Sequence, residues 1–178
     1  MDENEFIDLK KDCNGFLIPS GDNITLKKGT KVKITQSLGG DYTLYVNGNL
    51  VKISGKDADA IGKKIENEAK QEIIGFNEKY IWDVLKTCYD PEIPVNIVDL
   101  GLIYNMAYEK TNSNLYIINI KMTLTAPGCG MGPVIAQDVE TKIKNISFVE
   151  DVIVEVVWDP LWNQDMMTEE AKLQLGMM

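Results

Sequence analysis

Leu115-Tyr-Ile-Ile-Asn-Ile-Lys-Met-Thr-Leu124 runs directly into Thr125-Ala-Pro-Gly-Cys-Gly-Met-Gly-Pro133, and this stretch decides the fold. The first part reads as a strand and the second as a glycine-rich crossover. Beyond it a helix runs to about residue 145, with Val134, Ile135, Val139 and Ile143 inward. Proline suits the first turn of that helix, where its missing N–H has no partner to lose. Working outward, residues 100–108 and 152–158 read as further strands. Residues 78–89 place Ile81, Val84, Leu85 and Cys88 at i, i+3, i+4 and i+7, one apolar helical stripe that puts Cys88 in the core. That helix is expected to stop at Asp90-Pro91, because a residue before proline avoids the α region. A closing helix near residues 168–175 takes Thr168 as its cap. Helix, two strands, helix, strand, helix is an α+β layer, assigned to residues 76–178.

The first third of the chain alternates instead. Ile24 and Leu26, Val32 and Ile34, Leu44 and Val46, and Val51 and Ile53 sit two apart, with Lys28-Gly29, Gly39-Gly40 and Asn47-Gly48 turning between them. The expectation is a small β-rich module at residues 1–56, built as a four-stranded meander or partial barrel. A connecting helix at residues 57–75 should follow, with Asp57 as its cap, Ile61, Ile65, Ala69 and Ile73 on one side and Gly75 at its end.

Composition removes whole classes of function. All 18 basic residues are lysines, and the 178-residue chain holds neither arginine nor histidine. Histidine-dependent nucleophilic catalysis, histidine-bearing zinc sites and bidentate arginine clamps are therefore excluded. A net charge of −9 opposes nucleic acid and anionic membranes. Residues 76–178 carry nearly all of that excess, with 15 acids against 7 lysines. The acidic start has no apolar core of a signal peptide, and no run is long enough to cross a membrane. Cys13, Cys88 and Cys129 are odd in number and far apart, which fits a reducing cytoplasm and supplies no four-cysteine site.

Cys129 is the residue most suited to chemistry. Glycines on either side let a ligand approach the backbone, and a thiol just before a helix N-terminus is drawn toward the thiolate that binds soft metals. Surrounding carboxylates push the other way, so the thiol is expected to be accessible and only modestly more acidic than the ordinary value of about 8.5. A phosphate loop fits poorly, for Gly128-x-Gly130-x-Gly132 has neither the spacing nor a following Lys-Ser/Thr. A tight turn with an incidental cysteine is the plainer alternative. Asp90 and Glu92 stand on a loop stiffened by Pro91 and Pro94. Asp99 is either a turn residue or a third carboxylate near the site. Trp158, Trp162 and the methionine pairs suit a core or a partner surface.

Three motifs, Asp90-Pro-Glu-Ile-Pro94, Asp99-Leu-Gly-Leu-Ile-Tyr104 and Leu124-Thr-Ala-Pro-Gly-Cys129, resemble in order and spacing the signature of the PaaD-like metal–sulfur cluster assembly family across residues 76–160. The N-terminal module, with Asp12-Cys13, Ile18-Pro-Ser-Gly21 and Gln36-Ser-Leu-Gly-Gly40, is similar to that of one branch of the family, which extends the resemblance over nearly the whole chain. It departs from the commonest form in having Gly130, not proline, after the cysteine. The resemblance implies a non-enzymatic auxiliary factor of iron–sulfur protein maturation, with SUF scaffold and carrier proteins and client apoproteins as partners. It makes Cys129 the reactive cysteine and metal ligand, with Asp90, Glu92, Asp99, Thr123 and Thr125 around it. One thiol and a few oxygens hold iron or a cluster only transiently, unless two copies of Cys129 share it across a homodimer. A cysteine-dependent thiol enzyme with a carboxylate proton carrier, and a pure protein adaptor, stay open beside this.

Overall fold

In the computed structural model, which describes residues 5–65, 75–128 and 130–177, the chain divides into the units Met1–Glu68 and Ala69–Met178. The first is built on β1 (Ile7–Asp8), β2 (Cys13–Ile18), β3 (Asn23–Leu26), β4 (Lys31–Leu38), β5 (Asp41–Val46) and β6 (Asn49–Ile53). Their order across one antiparallel sheet is β1-β4-β5-β6-β2-β3. The four alternating segments are β3 to β6, and Leu26, Val32, Leu44, Val46, Val51 and Ile53 from them are buried together. Asn47 and Gly48 both take positive φ, the geometry a two-residue hairpin demands.

The sheet is not the expected meander, because β2 lies between β6 and β3. The alternation of β2 is hidden by Gly15, which points inward with no side chain. A Cβ there would stand 2.7 Å from the Lys52 carbonyl oxygen, so the position demands glycine.

The connecting helix at residues 57–75 also needs correction. A 3-10 helix covers Gly55–Ile61, capped by Ser54, and Gly62 ends it in the left-handed conformation. Ser54 accepts from the Lys56 N–H and so takes the place given to Asp57. Residues 66–74, with Ala69 and Ile73, lie outside the described residues.

The second unit runs α1 (Glu78–Leu85), β7 (Ile103–Lys110), β8 (Tyr116–Met122), α2 (Gly132–Lys144), β9 (Val149–Val156) and α3 (Glu169–Gln174), the α+β order expected. β7 and β8 are antiparallel, and α2 carries the chain across to β9, parallel to β8. Ile118, Ile120 and Met122 of β8 are buried, as are Val152 of β9, Ile81 and Leu85 of α1, and Val134, Ile135, Val139 and Ile143 of α2. Asn77 caps α1 through the Tyr80 N–H, and Thr168 caps α3 through that of Ala171.

Boundaries move. The strand expected at residues 152–158 runs Val149–Val156, because Val149 already pairs with Tyr116 of β8. α1 stops at Leu85, five residues short of Asp90, because Thr87 and Cys88 donate their N–H groups to Val84 and Leu85 in a tightened last turn. Cys88 is fully buried nonetheless. The strand expected from residue 100 starts at Ile103, because Asn96 to Gly101 are folded into a turn. Among the described residues no helix is long and apolar enough to cross a membrane.

Candidate functional site

The loop between α1 and β7 carries Asp90, Glu92 and Asp99, and the crossover between β8 and α2 carries Thr123, Thr125 and Cys129. Cys129 lies outside the described residues, so the structure does not address the expected gathering of Asp90, Glu92 and Thr125 about it.

Asp90 is 4% exposed, and its Oδ1 accepts from the N–H groups of Glu92 at 2.9 Å and Ile93 at 3.1 Å. That pair of bonds folds the proline-bounded loop back on itself, the local turn an aspartate side chain makes well. Tyr89 and Asn96 close the loop's base as a β-bridge. Glu92 is exposed, so the two carboxylates read together from the sequence stand in different surroundings.

Asp99 belongs to a turn. Its carboxylate accepts from Asn96 Nδ2 at 2.7 Å, while Asn96 Oδ1 accepts from the N–H groups of Val98 and Asp99. Of the two roles left open for Asp99, this is the structural one. No three of the described Cys, Asp and Glu residues gather where they could hold a metal ion.

The second motif meets the residue just before the third through the backbone: the Thr123 N–H donates to the Leu102 carbonyl at 2.8 Å. Thr123 itself is wholly buried, and its Oγ1 has no hydrogen-bond partner among the described residues. A buried hydroxyl left unpaired costs about 1–3 kcal/mol, so its presence calls for an explanation outside packing. Thr125 is half-buried, and Ala126, Pro127 and Gly128 are exposed. α2 then begins with Pro133 in its first turn and no side-chain cap, and Gly132 packs against Leu124.

Sequence reasoning found the closing helix but missed how the segment that follows β9 docks. Trp162 Nε1 donates to the Leu100 carbonyl at 2.7 Å, the Tyr104 hydroxyl to the Pro160 carbonyl at 2.7 Å, and the Thr168 N–H to the Asp99 carbonyl at 2.9 Å. Gly101, at φ 77°, lies so near that a Cβ would stand 2.2 Å from the Met166 carbonyl oxygen. The Asp99-Leu-Gly-Leu-Ile-Tyr104 motif is thus also a docking surface for the chain's own tail. The one signal was Trp162, whose ring needs a partner for its N–H when it packs.

Outside this region the other two cysteines are quiet. Cys88 donates weakly to the Val84 carbonyl. Burial pushes the Cys13 thiol up, and the nearby Asp57 carboxylate adds to the shift. The raised thiol makes Cys13 a poor nucleophile at neutral pH, and Cys88 is fully buried.

Residues 78–156 match the family model described as "Iron-sulfur cluster assembly protein". The chain is 44% identical over 99 residues to a Porphyromonas gingivalis protein named Fe-S protein maturation auxiliary factor, a match covering 56% of this chain and 90% of that one. It is 40% identical over 87 residues to the Staphylococcus aureus Fe-S protein maturation auxiliary factor SufT, covering 49% of this chain and 94% of that one. It is 34% identical over 112 residues to the Bacillus subtilis Fe-S protein maturation auxiliary factor YitW, covering 63% and 98%. These relatives are nearly exhausted by matches of one-half to two-thirds of the chain, so they leave no room for a counterpart of the whole first unit. The expected likeness of that unit to a branch of the family is not carried by them. With the three motifs in place between α1 and α2, and near-complete coverage of these relatives, this chain belongs to the iron–sulfur cluster assembly protein family.

Proposed function

We propose that the chain is an auxiliary factor of iron–sulfur protein maturation, in which Cys129 takes iron or a cluster as transient cargo or docks a client apoprotein. The observation that carries this is the family match over residues 78–156, which contains all three motifs. The chemistry of the donor set agrees: thiolate and carboxylate oxygens, with no imidazole, favour weak and reversible holding of iron. Asp90, Glu92, Asp99, Thr123 and Thr125 are the supporting residues, and the Thr123 hydroxyl is buried with no hydrogen-bond partner among the described residues. On this proposal the chain turns over no metabolite, works in the cytoplasm with SUF scaffold and carrier proteins, and is able to share cargo across a homodimer.

Ferrous iron and sulfide added anaerobically should give visible absorption in the wild-type chain that Cys129→Ser lacks. Equal absorption in both would remove Cys129 as the ligand.

Thr123→Val isolates the hydroxyl. The exchange removes an unpaired buried polar atom and should leave stability level or raise it by up to about 1–3 kcal/mol, measured by denaturant melting. Client maturation in cells should nevertheless fall. A stable variant with full maturation would leave Thr123 without a part in the site.

A further inference from the structure

The tail beyond β9 touches the α1–β7 loop that holds Asp90, Glu92 and Asp99, and it does so at four separate points. Trp162 donates to the Leu100 carbonyl, the Thr168 N–H reaches the Asp99 carbonyl, and the Met166 carbonyl lies against Gly101. From the last turn of α3, Gln174 Nε2 donates to the Pro94 carbonyl at 3.1 Å, closing a separation of 80 residues. Three of these contacts fall on backbone carbonyls of the loop and the fourth on Gly101 itself, and none is a strand ladder. Residues 158–177 lie beyond the family match, which ends at residue 156.

From this arrangement we propose that the tail is a clasp, with Trp162 and Gln174 as positioning residues that hold the Asp90–Pro94 loop and the Asp99–Leu102 turn in their working geometry. The proposal rests on the assignment of those loops to the site. Its physical basis is that a loop with few ladder bonds, here the Tyr89–Asn96 bridge at its base, opens locally unless other contacts tie it down. Asp90 fixes its own loop through the Glu92 and Ile93 N–H groups, but those bonds are internal to the loop and do not set where the loop stands. The Gln174 and Trp162 donors reach in from outside, so they do.

Amide hydrogen exchange on the full chain tests this. Trp162→Phe keeps a ring and loses the donor, and should speed exchange at Leu100, Gly101 and Leu102 by about three- to tenfold, the population shift expected from one lost hydrogen bond. Gln174→Ala, at an exposed position that leaves folding intact, should do the same at Ile93 and Val95. Gln174→Lys, which keeps a terminal N–H donor, should restore protection. Ile118 and Ile120 in β8 should not change in any of them, which separates local loosening from general loss of stability. Client maturation should fall in Trp162→Phe and Gln174→Ala and recover in Gln174→Lys. Unchanged exchange at the loops, or faster exchange with full maturation, would overturn the clasp. Cys129→Ser run in the same assay keeps the two ideas apart: full maturation there would sink the site assignment and leave the exchange result to judge the clasp alone.

Discussion

Cys129→Ser should abolish client maturation while the melting temperature stays where it is. Serine is nearly the same size as cysteine, so the exchange is a small change of volume at a position flanked in sequence by Gly128 and Gly130. What it removes is a soft thiol donor; the second unit's other cysteine, Cys88, is fully buried and bonded to the Val84 carbonyl. A hydroxyl near neutral pH stays protonated and binds iron poorly, whereas a metal deprotonates a coordinating thiol outright. The measurement is the activity of an iron–sulfur client enzyme in cells whose only copy of this chain is the variant, with melting of the purified protein as control. Full client activity would show the thiol to be dispensable and would put the adaptor function in place of the one proposed.

The second large effect belongs to stability. Gly101→Ala should destabilise the second unit by about 2–5 kcal/mol, from left-handed backbone strain together with overpacking. Its φ is 77°, and the new methyl carbon would lie 2.2 Å from the Met166 carbonyl oxygen and 2.8 Å from its carbon. Backbone cannot swing aside as a long side chain does. Relief therefore requires the tail to lift, which takes the Trp162 ring off the Leu100 carbonyl. A red-shifted tryptophan emission alongside a lower melting midpoint is the expected signature. An alanine variant that melts like the wild type would show that the tail does not pack on this turn.

Much of the architecture could be read before any coordinates. The regular inward spacing of Val134, Ile135, Val139 and Ile143 gave α2, and all four are buried. The paired apolar residues from Ile24 to Ile53 gave four strands of the first sheet. Failures came where the deciding interaction was distant or lacked a side chain. Gly15 removed the inward residue that would have shown the alternation of β2, and β1 has only two residues. Leu100 and Leu102 are apolar and two apart, as a strand would have them, yet Leu100 belongs to a turn held by Asn96, whose side-chain bonds no period reveals. In the site, the residue types were visible but their division of labour was not. Asp90 and Glu92 differ by burial, which depends on how the loop folds over its own backbone. Asp99 turned out to serve Asn96, three residues away. The use of Leu100, Gly101 and Pro94 by the tail spans 62 to 80 residues, a distance at which local pattern carries no signal.

The long reach of those tail contacts also orders events during synthesis. Residues 158–177 leave the ribosome after everything they dock on, so β7, β8, α2 and β9 can pair and pack while the Asp99–Leu102 turn still lacks Trp162 and the Pro94 carbonyl still lacks Gln174. At about 5–20 residues per second that interval lasts on the order of seconds. A nascent chain at that stage would have its sheet and core with the motif loop held only by its own bonds, and Gly101 would leave the seat open for the Met166 carbonyl.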